Sequence, residues 1–328
     1  MATTVFGDIS PRTAAYASKD LLERAIPQLV IEQFGQSKPL PERSSKVMKF
    51  RRYNSLAFTP NALTEGVTPD AKTVTVTDVT ATLVQYGDRI SITDVIMDTH
   101  EDPVLKENTD ILSEQAANMV ETVRFGIIKA GTNVFYANGS ARTDVNTALT
   151  LTVQRKVTRA LKNQNAKKIA KAVAASANYA TTPVQQSFIA MCHPNLEADI
   201  RGLAGFTSVE HYGQVTPYPS EIGKIEDVRY VSSTIFTPWE DGGGDKGTML
   251  SKTGTKADVY PIIYVGSDAY GLVALKGQFA ITPMVVNPKP SDSDPLAQRG
   301  HVGWKTMQTA VILNDLWMAR VEVGVTAL

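Results

Sequence analysis

The sequence predicts an α+β fold, because one long helical pattern lies between two regions with strand patterns. Residues 103–131 have the pattern of a single amphipathic helix. Side chains alternate with a period of two through residues 46–95 before this helix and through residues 306–326 near the end of the chain. A period of 3.6 is typical of a helix and a period of two is typical of a strand, so both kinds of element supply long segments.

The first 48 residues predict an N-terminal arm. Residues 18–29 carry one short helical pattern between polar, proline-containing segments. A segment with so few apolar residues does not form its own core. The sequence leaves three placements open for this arm: on the main body, on a neighbouring subunit, or mobile.

A long polar hairpin is predicted over residues 49–94. Cations alternate with apolar residues from Lys46, the turn-rich sequence LTEGVTP occupies 63–69, and a Thr/Val alternation runs through 72–84, followed by a strand pattern at 88–95. A two-stranded ribbon of this composition has little to bury and is only marginally stable in water by itself. We therefore expect it to lie on something else, either as an edge hairpin of the same domain or packed on another subunit.

The helix predicted at residues 103–131, here called the spine helix, has start and stop signals of its own. Asp102 suits the N-cap, Pro103 has the φ of a first helical residue, and Gly131 is predicted to take a left-handed conformation after the last turn. At about 1.5 Å per residue the helix would be on the order of 40 Å long. Its apolar residues form one stripe: Leu105, Leu112, Ala116, Met119, Val123, Ile127 and Ala130. We expect this stripe to face the closing strands of the same chain.

A second helix, rich in Lys and Ala, is predicted at residues 152–176. Its cations are Arg155, Lys156, Arg159, Lys162, Lys167, Lys168 and Lys171. Such a run is able to contact nucleic acid or a membrane surface, but a solvated face, or a face that pairs with acidic groups of another subunit, is favoured. From residue 182 the pattern changes to short strands and turns, which predicts a separate α+β lobe, and longer strands return at 279–286 and 306–326.

The composition is that of an ordinary globular protein. The chain has 328 residues, of which 43% are hydrophobic, and its 33 basic and 33 acidic residues give a net charge of zero. Sequence-specific DNA binding normally requires a basic excess, so this class is disfavoured. The single cysteine excludes an internal disulfide, and we expect neither a membrane span nor an export signal because no run of about 18 apolar residues occurs.

No catalytic, cofactor or metal site is predicted. Cys192 precedes His193, but neighbouring residues in a strand point to opposite faces, which predicts an inert cysteine. Gly266 and Ser267 lack the G-x-S-x-G pattern of a hydrolase, and residues 242–244 lack the Lys and Ser/Thr of a phosphate-binding loop. The histidines are dispersed, without the spacing of a zinc site: His100, His193, His211 and His301.

Five stretches carry a resemblance to a known family. They are KVMKFRRYNSL, LTEGVTP and VQYGDRISITDV before the spine helix, SEIGKIEDVRYV in the lobe, and DPLAQRGHVGWKTMQTAVILNDLWMARVEV at the end. The order of the parts resembles the major capsid proteins of tailed phages, which have the Hong Kong ninety-seven type (HK97-like) fold. The stretches themselves look like the coliphage N-four-like major capsid family, and the resemblance covers nearly the whole chain.

This resemblance implies a division of the chain into four parts. They are an N-terminal arm at 1–48, an extended loop hairpin at 49–94, a peripheral domain at 95–177 and 277–328 that holds the spine helix, and an axial domain at 178–276. The implied function is that of a structural major capsid protein, not an enzyme. It would self-assemble as pentamers and hexamers into an icosahedral shell around double-stranded DNA.

The implied partners are copies of the same chain, a separate scaffolding protein, a portal and a decoration or cement protein. Packaged DNA would lie nearby without specific contacts, no membrane would be involved, and the virion capsid would be assembled in the cytoplasm of the host bacterium. In this family the extended loop lies across the neighbouring subunit, so we expect intersubunit ion pairs from Arg51, Arg52 and Glu65. The full set of expected intersubunit contacts is Arg51, Arg52, Glu65, Gly66, Arg299, Trp304 and Lys305.

Two other functions stay open from the sequence. One is an encapsulin-like shell of the same fold, which would hold cargo enzymes instead of DNA. The other is a soluble hydrolase-type enzyme that uses Ser267 or Cys192.

Overall fold

A computed structural model describes residues 30–95 except 42, 44, 58, 61 and 64, and residues 104–169, 186–212, 217–275, 281–290 and 294–328. Its α-helices are α1 (Val104–Ile128), α2 (Leu151–Asn163) and α3 (Glu197–Arg201). Its strands are β1 (Gln36–Leu40), β2 (Val47–Tyr53), β3 (Val76–Thr82), β4 (Val84–Thr93), β5 (Val134–Tyr136), β6 (Phe188–Cys192), β7 (Phe206–Ser208), β8 (Glu221–Ile225), β9 (Val228–Ser232), β10 (Tyr260–Val265), β11 (Tyr270–Leu275), β12 (Ile281–Val286), β13 (Arg299–Ile312) and β14 (Met318–Val323). The short helix predicted at 18–29 lies outside the described residues.

A five-stranded sheet is built around the long strand β13. Within β13, Gln308 pairs with Val84 of β4 on one side and with Ala274 of β11 on the other. Strand β12 pairs with β13 on the same side as β11. Strand β1 pairs with β11 in the parallel orientation. The strand pattern predicted near the end of the chain is therefore the centre of this sheet.

A seven-stranded sheet has the order β5-β14-β10-β6-β9-β8-β7. Its central strand β6 is buried throughout: Phe188 contributes to one core with Val157 of α2, and Ile189 contributes to a second core with Phe125 of α1. A strand covered on both faces has a continuous apolar sequence, which is why β6 shows no alternation. The sheet also includes β5 and β14, which lie outside 178–276, so sheet membership does not follow the predicted domain limits; those limits stay a prediction.

The spine helix forms as predicted, as α1, over Val104–Ile128. Asp102 and Pro103 lie outside the described residues. The left-handed conformation predicted for Gly131 is wrong, because its φ is not positive. Instead the Arg320 guanidinium donates hydrogen bonds to the carbonyl oxygens of Lys129 and Gly131, the latter at 3.2 Å. A cation at this end stabilises the negative end of the helix dipole, so a left-handed glycine cap is not needed.

The apolar stripe of the spine helix faces the closing strands mainly along its first half, although Ile127 in the second half packs against the cluster that holds Ala310 and Met318. Leu112 and Ala116 are buried with Val302 and Trp304 of β13, as expected. In the second half the stripe residue Ala130 is exposed. The buried residues there are Val120, Glu121, Arg124, Phe125 and Ile128. A second face is buried because the segment around Ile31–Gln33 packs against it.

The second helix is shorter than predicted, since α2 spans Leu151–Asn163 and Asn165 has a φ of 54°. Residues 170–176 lie outside the described part of the chain. Two cations of α2 pair with acidic groups of the same chain: Arg155 Nε lies 2.9 Å from Glu226 Oε1, and Lys162 forms an ion pair with Asp227. These ion pairs lie at the β8–β9 turn of the same chain, whereas a solvated face or a pairing with acidic groups of another subunit was expected; the pairing with another subunit stays a prediction.

Candidate functional site

The extended hairpin is a two-stranded ribbon of β2 and β3. The strands are antiparallel, with Phe50 opposite Val79 and Tyr53 opposite Val76. Residues 54–75 connect them and form the tip of the hairpin. At the other end, Thr82 leads through Leu83 into β4, which pairs with β13, so the strand predicted at 88–95 belongs to the five-stranded sheet and not to the ribbon.

The base of the hairpin is anchored in its own chain. Phe50, Ala81 and Leu83 are buried in one cluster with Leu40 of β1 and Val273 of β11. The prediction that the hairpin has little to bury is therefore wrong for its base. The signal was present in the sequence, because Met48 and Phe50 lie two residues apart on one strand and Val79 and Ala81 lie two residues apart on the other, so each pair faces the same side.

The tip differs from the base because its apolar side chains are uncovered. Leu63 is 73% exposed and Val67 is 63% exposed, and Tyr53 at the adjoining end of β2 is 68% exposed. Other large apolar residues exposed in this region are Leu56, Val74 and Val76. Scattered exposed apolar residues are normal, but this many on one protruding segment is typical of an interaction surface.

Arg51 is engaged inside the hairpin. Its Nε and Nη2 each donate a hydrogen bond of 2.8 Å to the two carboxylate oxygens of Asp78, which lies directly opposite in the register. This hydrogen bonding lowers the pKa of Asp78. Arg52 is exposed, and so are Glu65 and Gly66 at the tip, where Gly66 has a φ of 76°. Intersubunit ion pairs of Arg51, Arg52 and Glu65 stay a prediction.

Trp304 does not lie on the surface. Its side chain is 4% exposed between the sheet and α1, and its indole N–H donates to Gln115 Oε1 at 3.4 Å. Its buried side chain belongs to the core of its own chain, which argues against the intersubunit contact expected for it. Arg299 and Lys305 are exposed and lie on the opposite face of β13, and the backbone N–H of Arg299 donates to Asp294 at 2.8 Å. Their intersubunit contacts stay predictions.

A groove of about 390 Å³ lies on this outer face of the five-stranded sheet. Met284 and Val286 of β12 form one wall and are 42% and 47% exposed. His301 and Gly303 of β13 form the floor, and Arg89 of β4 forms the opposite wall. The strand alternation in 281–286 already placed Met284 and Val286 on one face, but the sequence did not show that this face is open.

The residues considered for catalysis are engaged elsewhere. The Cys192 thiol is buried and donates to the Val231 carbonyl at 3.6 Å, and burial raises its pKa. The His193 imidazole accepts a hydrogen bond from the Asn195 N–H at 3.1 Å, and desolvation lowers its pKa. The Ser267 hydroxyl donates to Asp268 at 3.2 Å. The neighbours Cys192 and His193 are thus engaged with different groups and do not bond to each other.

The described ranges show neither a metal-binding cluster nor a membrane-spanning helix. In these ranges, no three His, Cys, Asp or Glu side chains come together in a way that would hold a metal ion. Within the same residues, no helix has the length and hydropathy that a bilayer span requires. His100 lies outside the described residues.

Comparisons with known proteins relate this fold to phage shells. A family model described as phage capsid protein matches residues 76–319, which is well over half of the chain. The capsid of Ralstonia phage GP4 is 11% identical, with a TM-score of 0.68 and 92% of each chain covered. The cyanophage Pam1 capsid is 11% identical with a TM-score of 0.62, and the match covers 88% of this chain and 87% of that one. The head of Helicobacter pylori bacteriophage KHP40 is 12% identical with a TM-score of 0.57, again over 88% and 87% of the two chains.

No curated protein sequence gives a significant match. The placement in the coliphage N-four-like group therefore stays a prediction. The arrangement of spine helix, extended hairpin and two sheets matches the HK97-like fold predicted from the sequence. Because the family model covers the hairpin strand β3, the spine helix and most of both sheets, the chain belongs to the phage capsid protein family and is a structural major capsid protein.

Proposed function

We propose that this chain is the repeating subunit of an icosahedral shell that encloses the double-stranded DNA of a tailed phage. Copies would assemble as pentamers and hexamers, and each copy would hold its neighbour with the tip of the extended hairpin. The shell contacts are repeated many times, so each contact can be modest while the assembly is stable.

The observation that carries this proposal is the contrast between the two ends of the hairpin. At the base, Phe50 is only 9% exposed, whereas Leu63 at the tip is 73% exposed. Burying apolar surface contributes roughly 25 cal/mol per Å², so an uncovered apolar tip gains free energy when a partner surface covers it. A repeating shell supplies such a surface to every copy.

The charge of the chain supports a container for DNA. Its 33 basic and 33 acidic residues balance, so the subunit as a whole has no basic excess to hold packaged phosphates. A strongly basic lining would bind phosphates by counterion release and hinder both packing and ejection. The rival proposal of an encapsulin-like shell differs in content, because purified particles would then hold cargo enzymes instead of DNA.

The remaining partners and the location follow from this role. A separate scaffolding protein, a portal and a decoration or cement protein would act on the same shell, and assembly would take place in the cytoplasm of the host bacterium. The chain would act as a structural subunit and not as an enzyme. The buried thiol of Cys192, whose pKa is raised by burial, supports this because a thiolate nucleophile requires the opposite shift.

The experiment that tests this function shortens the hairpin. The Asn54 N–H donates to the Thr75 carbonyl at 2.9 Å, so this hydrogen-bonded pair can close a tight turn, and residues 55–74 can be replaced by Asn-Gly without changing the register. We expect the wild-type chain to form shells visible by electron microscopy, and the shortened chain to stay folded by circular dichroism but form none. A matched control is Lys156→Ala, an exposed change on α2 that should leave shells intact. Shells from the shortened chain, or a small discrete oligomer from the wild type, would contradict the proposal.

A further inference from the structure

We propose that a groove on the side of the spine helix holds residues 18–29 of the same chain, an inference that goes beyond the proposed function and does not depend on it. The groove, here called the helix groove, has a volume of about 370 Å³. Glu114 and Asn118 of α1 form one wall, and residues 232–235 at the end of β9 form the other. Of the three placements that the sequence leaves open for the arm, the helix groove favours the body of the same chain.

The root of the arm is fixed in the helix groove. Val30 lines the groove, and residues 18–29, which precede it, lie outside the described residues. The Val30 N–H donates to both carboxylate oxygens of Glu121, each at 3.2 Å, which holds the start of the described segment against α1. Val30 has a helical backbone, with φ −83° and ψ −45°, and the 3-10 turn Ile31–Gln33 follows it. The helical pattern predicted at 18–29 therefore leads into a segment that is helical in the structure.

Two contacts show the direction in which the arm leaves this root. Val30 bonds to Glu121, and Glu32 pairs with Arg124 at 2.8 Å, so the segment runs along α1 in the same direction as the helix. Followed backwards from Val30, the chain is therefore directed toward Glu114, which lies about two turns before Glu121 in α1. Residues 18–29 enter the helix groove if they continue in this direction.

The apolar stripe of the arm continues a buried residue. Val30 is 2% exposed and contributes to the core that holds Phe125 of α1. Leu22, Ile26 and Leu29 lie eight, four and one residues before Val30, which places all four on one face of a helix. The face that Val30 buries against the body is thus the apolar face of the arm.

An exposed apolar residue of α1 lies level with this stripe. Ile111 is 57% exposed and lies ten residues before Glu121, which is about 15 Å along the helix axis. Leu22 lies eight residues before Val30, which is about 12 Å in a helix. The two side chains therefore come level to within about 3 Å. Covering Ile111 with Leu22 would remove apolar surface of both residues from water.

The covalent link at Val30 favours the same chain as the occupant. A segment attached beside its site has an effective concentration on the order of millimolar, which a segment of another molecule reaches only at very high protein concentration. The wall opposite α1 carries the hydroxyl groups of Ser232, Ser233 and Thr234. These groups suit the polar side of an amphipathic helix whose apolar side faces α1.

Crosslinking between two engineered thiols tests this placement. Leu22→Cys and Ile111→Cys would be combined in the full-length chain and treated with a short bismaleimide, and the product would be digested and identified by mass spectrometry. The native Cys192 is buried and so does not compete. We expect a crosslink within one chain. Heavy-isotope-labelled and unlabelled copies are mixed before the reaction, so that a link between two copies would appear as a mixed pair.

The matched control is Leu22→Cys with Ala130→Cys. Ala130 is exposed and lies nine residues after Glu121, about 14 Å along the helix axis and therefore about as far from the root of the arm as Ile111, but in the opposite direction. We expect the yield at Ala130 to be lower by at least about fivefold. Equal yields at the two positions, or no crosslink at either, would overturn the inference. Mixed-isotope pairs would show that the arm of another copy occupies the groove and would also overturn it.

Hydrogen exchange of the wild-type chain gives a second test without engineered thiols. We expect the amides of residues 18–29 to exchange at least about tenfold more slowly than in an unstructured chain. Ile111→Asp should remove most of this protection, because it places a charge under Leu22. The control is Leu316→Asp, which changes an apolar residue that is 50% exposed on the turn before β14 and should leave the protection unchanged. Absence of protection in the wild type, or equal protection in both variants, would contradict the placement.

Discussion

The Val30 N–H donates to both carboxylate oxygens of Glu121, each at 3.2 Å, across 91 positions of sequence. Glu121 belongs to the spine helix and is almost fully buried, while Val30 opens the turn Ile31–Gln33. A side chain of the spine helix thus caps the segment through which the N-terminal region joins the body. Because the site is dry, the protonation state of Glu121 affects the stability of the fold.

The first prediction concerns this carboxyl group. Burial raises the pKa of Glu121 to about 7, and the negative charge of Glu32 adds to this, against hydrogen bonds from Val30 and Ile31 and the charge of Arg124. A raised pKa means that the folded state binds the proton more tightly than the unfolded state, so protonation of Glu121 stabilises the fold. This contribution is complete below about pH 4.5 and is lost as pH rises through about 7. The expected loss is on the order of 3 kcal/mol.

Urea unfolding of the unassembled chain at several pH values measures this effect against Glu121→Gln. Glutamine keeps an oxygen acceptor for the Val30 N–H but does not titrate in this range. The difference in unfolding free energy between wild type and variant should therefore shrink or reverse as pH rises. Parallel pH profiles for the two proteins would show that Glu121 keeps an ordinary pKa.

The second prediction concerns the ion pair between Arg124 and Glu32. The Arg124 Nη1 lies 2.8 Å from Glu32 Oε2, and the two side chains are 5% and 7% exposed. Arg124→Met should destabilise the chain by about 3–5 kcal/mol, because it leaves a buried carboxylate without its partner. Replacing both residues, as in Arg124→Met with Glu32→Leu, should cost much less. Denaturation midpoints of the three proteins decide this, and equal losses for the single and double variants would contradict it.

The third prediction compares neighbours on β13. Trp304→Ala should lower the unfolding free energy by about 3–5 kcal/mol, because Trp304 is packed in the core beside Leu112 and Ala116 of the spine helix. Lys305→Ala, one residue further along, should change it by no more than about 0.5 kcal/mol, because Lys305 is exposed. Thermal unfolding monitored by circular dichroism gives both values. Similar effects at the two positions would mean that the face of β13 is assigned wrongly.

The elements that were predictable from the sequence depend on local patterns. The spine helix follows from an apolar period of 3.6 and the hairpin strands from a period of two. Each period is visible within a short stretch of the sequence, without knowledge of distant residues. The orientation of Trp304 was predictable in the same way, because Val302 and Trp304 alternate with His301 and Lys305.

The features that were not predictable depend on contacts between distant residues. The burial of Glu121 depends on Val30, which lies 91 positions away, and the Arg51–Asp78 pair depends on a register set across the long tip of the hairpin. The cap of the spine helix by Arg320 likewise requires β14, at the far end of the chain. Single-sequence patterns carry no information on such pairings, and the outer groove is missed because no local pattern shows which sheet face stays uncovered.

The last prediction separates the two arginines of β2. Because Arg51 already pairs with Asp78 while Arg52 is exposed, we expect Arg52 to be the one whose charge is available to a neighbouring subunit. Arg52→Glu should reduce the yield of shells, and reversing both arginines to glutamate should abolish shells while leaving the circular dichroism of the monomer unchanged. The exchange Arg51→Asp with Asp78→Arg should preserve shells, because it restores the pair inside the hairpin. Shells from the doubly reversed chain would show that neither arginine holds subunits together, and loss of shells from the exchanged pair would show that Arg51 itself contacts the neighbour.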